Sequence, residues 1–208
     1  MERIFKARPS SLGKIMSNAK TKGELSATCK TYLIEWYSDS FEDIKSKYMT
    51  KGILMEDKAI DFMATQLGYG IAEKNINIYS NDYLVGTPDV IIDNKVIDLK
   101  CSWNRKTLIE ASESLNFDYE WQLRAYMALT GCDEAILFYA LMNTPSEANY
   151  GNEVKYDNLS DAERWCAYSF KRDEAKEQEV YDKVIKCREW LEEYDYQVKK
   201  NLGTIKYI

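Results

Sequence analysis

Residues 86–103 read Gly86-Thr87-Pro88-Asp89-Val90-Ile91-Ile92-Asp93-Asn94-Lys95-Val96-Ile97-Asp98-Leu99-Lys100-Cys101-Ser102-Trp103. Two short apolar runs flank Asp93-Asn94, a pair suited to a tight turn, so the stretch reads as a β-hairpin. With an even loop centred there, Asp89 opposes Asp98 and Thr87 opposes Lys100. Asp98 and Lys100 stand two apart and share a face of their strand. Two carboxylates and an ammonium then converge on one side of one ribbon. Opposed like charges in a strand pair are unfavourable, so something positive belongs between them. Lys100 supplies one charge and a divalent cation the rest. An all-oxygen set suits Mg²⁺, with Mn²⁺ as a substitute, rather than zinc. The bland alternative is a surface hairpin with acidic residues on its wet face, and the surroundings must decide between the two.

The chain has 208 residues, enough for one domain with a full core or one domain with a helical extension. It shows no apolar run of membrane-spanning length and no signal-peptide pattern at its start. The five cysteines are scattered without a C-x-x-C pair, which predicts neither a zinc knuckle nor a disulfide framework. A reducing, cytoplasmic setting is expected. There is no histidine. That removes Ser-His-Asp and Cys-His catalysis and every histidine-ligated metal site. Hydrolytic chemistry would have to run on carboxylates, lysine, tyrosine, backbone and metal.

Net charge is −6, which counts mildly against a nucleic-acid binder. The charge is uneven, however. Residues 1–30 carry seven Lys/Arg against two Glu, whereas residues 157–197 carry seven Lys/Arg against twelve Asp/Glu. A basic end opposite an acidic one permits phosphate contact on one face; plain solvated surface is the alternative.

Ser10-Ser11 before Leu12 and Ile15 predict a short serine-capped helix. Helices are predicted over about 24–37 and 41–66, ending near Gly68 and Gly70. Asn75 to Tyr79 alternates as a strand, the hairpin follows, and a helix is predicted from about Asp118 to Thr130, ending at Gly131. Ala135 to Met142 reads as another strand, 145–158 as a loop, and 159 to about 200 as helical. The expected architecture is mixed α/β: a small, mostly antiparallel or mixed central sheet flanked by helices. One domain over 1–208 is expected, with a core at about 41–145, a basic helical segment 1–40 and a helical extension 159–202.

Glu56 shares a helical stripe with Ile60, Met63 and Leu67. A carboxylate there needs a partner, either the metal site or a lysine such as Lys51 or Lys58. Gly52, one turn earlier, leaves room for an approaching group. Gln122 and Tyr126 share one face of their helix, suited to holding a water, a ligand or a phosphate, or to plain local bonding. Arg124 and Lys106 are further phosphate candidates.

Pro88-Asp89 followed by Asp98-Leu99-Lys100 resembles the defining motif of the PD-(D/E)XK nuclease superfamily. Gly52-x-x-x-Glu56 and Gln122-x-x-x-Tyr126 are similar to its RecB-like branch. Within that branch the chain most resembles the phage lambda exonuclease group of viral recombination nucleases, over about residues 8–145. Ser10-Ser11 opening a short helix and Cys101 after Lys100 add to the likeness. Two common features of RecB-like relatives are missing: a metal-binding histidine on the early helix and a four-cysteine cluster. The lambda-type group also places an arginine upstream of its serine, and neither Arg8 nor Arg3 aligns with it.

The resemblance implies a restriction-endonuclease-like core and a Mg²⁺-dependent deoxyribonuclease holding one or two ions. Asp89, Asp98, the Leu99 carbonyl and Glu56 would be ligands, and Lys100 and Gln122 catalytic. Tyr126, Ser10, Ser11 and Arg8 would contact the DNA phosphates. It further implies 5′→3′ digestion of linear duplex DNA for phage-type recombination, a ring-shaped homotrimer and a single-strand annealing protein as partner. Three rivals stay open at this level: a RecB-like or restriction-type endonuclease, a non-catalytic DNA-end binding module, and a helical interaction protein.

Overall fold

The structure, a computed structural model, describes residues 3–41 and 46–203. Its centre is a four-stranded sheet in which β3 (Val90–Ile92), β4 (Lys95–Cys101), β5 (Glu134–Ala140) and β6 (Trp165–Lys171) lie in that spatial order. The β3–β4 and β5–β6 pairs are antiparallel and β4–β5 is parallel, so the sheet is mixed as expected. Two further strands, β1 (Tyr79–Ser80) and β2 (Val85–Gly86), form a small separate ribbon.

Asp93 and Asn94 both adopt positive φ, 48° and 59°, which a tight two-residue hairpin demands and which Asp and Asn tolerate. The register pairs Val90 with Ile97 and Ile92 with Lys95, as the sequence predicted. Parallel β4 and β5 need a long crossover. It is supplied by α4 (Arg105–Glu113), opened by an Asn104–Thr107 capping box, and α5 (Phe117–Thr130), closed by Gly131 at φ 75°. The sequence reading foresaw α5 and missed α4.

Helix α3 (Lys47–Leu67) starts at a Ser46 cap and stops at Gly68, φ 77°. The predicted first turn at 42–45 lies outside the described residues. The stripe Met55, Ala59, Ile60, Met63 packs on Val90, Ile97, Phe138 and Ala140, covering one face of the sheet. Leu108 of α4 and Leu123 and Met127 of α5 cover the other, against Val96, Ala135 and Leu137. A third cluster joins Phe5, α1 (Leu12–Ile15), α2 (Ala27–Tyr37) and α6 (Glu174–Asn201) through Leu12, Ile15, Leu33, Val180, Val184 and Leu191.

Four expectations need correction. Residues 159–200 are not helical throughout: β6 occupies 165–171 and only 174–201 is helix. Asn75 to Tyr79 is not a strand, since only Tyr79–Ser80 pairs and 71–78 has no regular secondary structure. Helix α2 begins at Ala27 rather than Glu24, because Ser26 Oγ accepts the Cys29 N–H at 3.0 Å and sets the cap. Neither serine caps the first helix by its side chain; a 3-10 turn at Pro9–Ser11 leads into it.

Candidate active site

Side chains alternate along β4. Ile97, Leu99 and Cys101 pack with the α3 layer. Val96 packs with the α5 layer, so Asp98 and Lys100 point the same way, towards α5. The hairpin is unequal: β3 begins at Val90, so from Asp98 onward β4 keeps β5 on one side but has no strand on the other. The freed edge finds other partners. The Leu99 N–H donates to Asp89 Oδ2 at 2.8 Å. In a strand, the N–H and C=O of one residue project to the same side, so the Leu99 carbonyl turns to that same open edge.

A cavity of about 280 Å³ lies along this edge, lined by Gly52, Glu56, Asp89, Asp98, Leu99, Lys100 and Gln122 among others. Six predicted site residues are thus brought together. Asp98 is only 1 % exposed. Its Oδ1 accepts from Gln122 Nε2 at 2.9 Å, and its Oδ2 lies 2.7 Å from Lys100 Nζ. That second oxygen has an ion pair but no well-aligned hydrogen bond, an uncommon state for a buried acceptor. Lys100 Nζ also approaches Gln122 Oε1, at 3.4 Å, so the amide bridges acid and base.

The electrostatics follow from burial. Asp89 is pushed up to about 7 by desolvation and then by the Asp98 charge, with the Leu99 N–H and Lys100 opposing. Asp98 is also raised, by burial, against the pull of Lys100. For Lys100, burial acts to lower the pKa, but the Asp98 and Asp89 carboxylates outweigh it and the result is raised. One buried and one half-buried carboxylate, with one oxygen lacking an aligned donor, form an oxygen-rich pair deficient in positive charge. That donor set fits a hard divalent cation.

Glu56 lines the cavity, but its carboxylate is taken by Lys74 at 2.7 Å, a lysine the sequence reading did not name. Accordingly, no group of three or more ligating Asp, Glu, Cys or His side chains is preassembled among the described residues. Nothing within 4 Å meets a Cβ built on Gly52, which keeps that side of the cavity open.

Tyr126 lies next door. Burial first, then Asp98, raises its phenol pKa, and its hydroxyl donates to the Thr87 carbonyl at 3.1 Å. It lines a second cavity of about 390 Å³ with Arg8, Pro9, Ser10, Gly86 and Thr87. Arg8 and Ser10 are therefore placed beside the acidic cavity, whereas Ser11 sits against the Tyr32 hydroxyl. Arg124 and Lys106 are engaged elsewhere, in pairs with Glu120 and Glu110 on their own helices.

Two residues escaped the sequence reading, and a third, Lys51, was foreseen there only as a partner for Glu56. Tyr119 places its ring 4.6 Å from Lys100 Nζ and meets Tyr139 edge-on at 6.2 Å. Tyr139 is the register partner of Lys100 on β5, so the ring contact is built into the sheet. Spacing could have found Tyr119, one helical turn before Gln122. Asn75 braces the motif: its N–H donates to the Asp89 carbonyl at 2.7 Å and its Nδ2 to the Pro88 carbonyl at 2.9 Å. Lys51 is fully buried, donating to the Ser102 and Trp103 carbonyls at 2.7 and 3.1 Å, and burial pushes it down to about 8.

No protein-family model matches the chain, and no curated protein matches it in sequence. Solved structures do. A phage-related exonuclease from Haemophilus somnus 129PT superposes with a TM-score of 0.81 at 23 % identity, over 95 % of this chain and 97 % of that one. An alkaline exonuclease (LHK-Exo) from Laribacter hongkongensis gives 0.69 at 19 % identity, over 95 % and 93 %. The same enzyme in complex with dAMP gives 0.70 at 20 % identity, over 94 % and 92 %. The likeness is one of fold: this chain shares with those exonuclease structures a mixed central sheet flanked by helices. No helix among the described residues is long and apolar enough to cross a membrane.

Proposed function

We propose that this chain, built on a PD-(D/E)XK nuclease fold, is a Mg²⁺-dependent deoxyribonuclease that hydrolyses linear duplex DNA from 5′ to 3′. The observation that carries the reading is the Asp89–Asp98–Lys100–Gln122 set, gathered at the edge of β4 that β3 leaves free and open to a cavity. Asp89 and Asp98 would hold the cation, with the Leu99 carbonyl as a third ligand. Glu56 would join, directly or through water, once released from Lys74. When bound, Mg²⁺ or Mn²⁺ supplies the charge that acidifies a water and neutralises the phosphate as the bond breaks.

The chain's own groups do the rest. Lys100, held protonated by its two carboxylates, donates to the attacking water or to a phosphate oxygen. Gln122 fixes Lys100 against Asp98, so neither group has to reorganise during the reaction. Tyr126, Arg8 and Ser10, with Ser11 behind them, contact the phosphates of the strand next to the scissile bond. A homotrimeric ring and a single-strand annealing partner complete the reading, along with a place in phage-type recombination.

The test uses purified protein with linear and covalently closed circular duplex, in Mg²⁺ or with chelator. Linear DNA should be digested only with Mg²⁺, and closed circles should survive. Asp98→Ala and Lys100→Ala should each lose several orders of magnitude in rate. Cleavage of the circles would instead assign an endonuclease, and tight duplex binding without cleavage a binding module. End-labelled duplexes read the polarity, and sedimentation reads the trimer.

A further inference from the structure

The basic bias of residues 1–30 has a destination that the catalytic cavity does not explain. The loop after α1 curls over the side of α6 and encloses a concavity of about 450 Å³, lined by residues 16–24 with Lys183 and Lys186. Four of its side chains are lysines, Lys20, Lys22, Lys183 and Lys186, and its one acid is Glu24. The two from α6 stand three apart, hence on one face of the helix, inside the most acidic stretch of the sequence.

Among the described residues, none of these four lysines takes part in an ion pair, although Lys and Arg elsewhere in the molecule pair readily. On a chain of net charge −6, carboxylate partners are not scarce. Gathering four unpaired ammonium groups around one hollow raises the energy of the free protein, and an anion placed there would relieve it. Ser17, Asn18 and Thr21 add neutral hydrogen-bonding groups to the wall.

The position favours a polyanion running on from the active site. Ser10 lines the cavity beside the catalytic carboxylates, and α1 carries the chain from there directly into the lysine loop. Helix α1 packs on α5, the helix of Gln122 and Tyr126. Seven residues separate Ser10 from Ser17, so the hollow starts no more than about 25 Å from the catalytic neighbourhood. That span is roughly seven base-pair steps of duplex.

We infer that Lys20, Lys22, Lys183 and Lys186 form a second nucleic-acid site, binding the phosphodiester backbone of the duplex several nucleotides from the scissile bond without reading its sequence. This rests on the DNA reading above.

The test measures binding of a fluorescein-labelled duplex of about thirty base pairs by anisotropy, in chelator, across a range of NaCl. It compares wild type with Lys20→Gln/Lys22→Gln, Lys183→Gln/Lys186→Gln, and a control, Lys155→Gln/Lys199→Gln, placed elsewhere on the surface. Each groove pair should weaken binding by roughly tenfold or more. Each should also flatten the slope of log affinity on log salt by about 2, since each lost phosphate contact removes about 0.9. The control should keep the wild-type slope. Hydrolysis of a p-nitrophenyl phosphodiester, too short to reach the hollow, should be unchanged in every variant.

Wild-type affinity and slope in both groove pairs would overturn the site, and would point to an acidic protein segment as its occupant. A wild type that cuts DNA normally alongside such variants refutes the groove alone. A wild type that neither binds nor cuts duplex refutes the nuclease reading and the groove with it.

Discussion

At Lys100 the side chain meets a carboxylate, an amide and an aromatic face at once. The Tyr119 ring is the contact that the motif does not encode. A desolvated ammonium–ring contact is worth up to about 2 kcal/mol, roughly thirtyfold in rate if it is needed to aim the amine. Tyr119→Leu should therefore lower kcat by about tenfold or more with KM little changed, whereas Tyr119→Phe, which keeps the ring, should stay within about threefold. Equal losses in the two variants would show that the hydroxyl, not the face, matters. Asp89 makes a complementary case. Its carboxylate is half-buried and desolvated beside that of Asp98, and its bond from the Leu99 N–H needs only an acceptor, which an amide oxygen supplies. In chelator, Asp89→Asn should melt a few degrees above wild type while losing hydrolysis, the usual conflict between stability and a charged site. A lower melting temperature would mean that the carboxylate is satisfied without a cation.

Elements whose signals are local were legible in the sequence. The hairpin announces itself through Asp93-Asn94, and α5 through its apolar face and Gly131. The motif residues followed because strand and helix periods fix which of them share a face. Strand β6 was hidden: Trp165 to Lys171 alternates, but it is half-exposed at the sheet edge and sits amid the Glu and Lys of the tail. The Lys74 and Asn75 contacts were unreadable for another reason, since they belong to the irregular stretch 71–78, where no period constrains direction. Lys51 shows how elements are tied. It joins α3, which carries Glu56, to the carbonyls just beyond β4. Its folded pKa of about 8 lies below the usual 10.5, so between those values the unfolded chain binds the extra proton. Stability then rises with pH across that window, by up to about 3 kcal/mol. Urea melts at pH 7.5 and 10.5 should show wild type gaining on Lys51→Met by that order; no change in the difference would place the amine in contact with water. Gly86 joins β2 to the N-terminal turn, with Pro9 Cδ only 2.7 Å from where a Cβ would stand. Gly86→Ala should cost about 1–3 kcal/mol by forcing the two apart, measured by the same melts.

For the whole molecule, a cation held only by the folded site must shift unfolding. At a hundred times its Kd it adds about 2.7 kcal/mol. For a chain of this size that is a rise of roughly 5–10 °C in Tm with Mn²⁺, and it should vanish in Asp98→Asn. An equal rise in that variant would place the ion elsewhere. The closure of the fold has a different consequence. The Phe5 carbonyl accepts from Arg188 Nε at 2.9 Å, and Leu12, Ile15 and Leu33 complete their core only against Val180, Val184 and Leu191. During synthesis the hairpin and α5 leave the ribosome long before α6 exists. The wall that presents Arg8 and Ser10 thus stays unset until the far end of the polypeptide arrives. Under the proposed function, a nascent chain would carry both carboxylates yet lack a seat for the strand, so a stalled translation event would not release a DNA-cutting fragment.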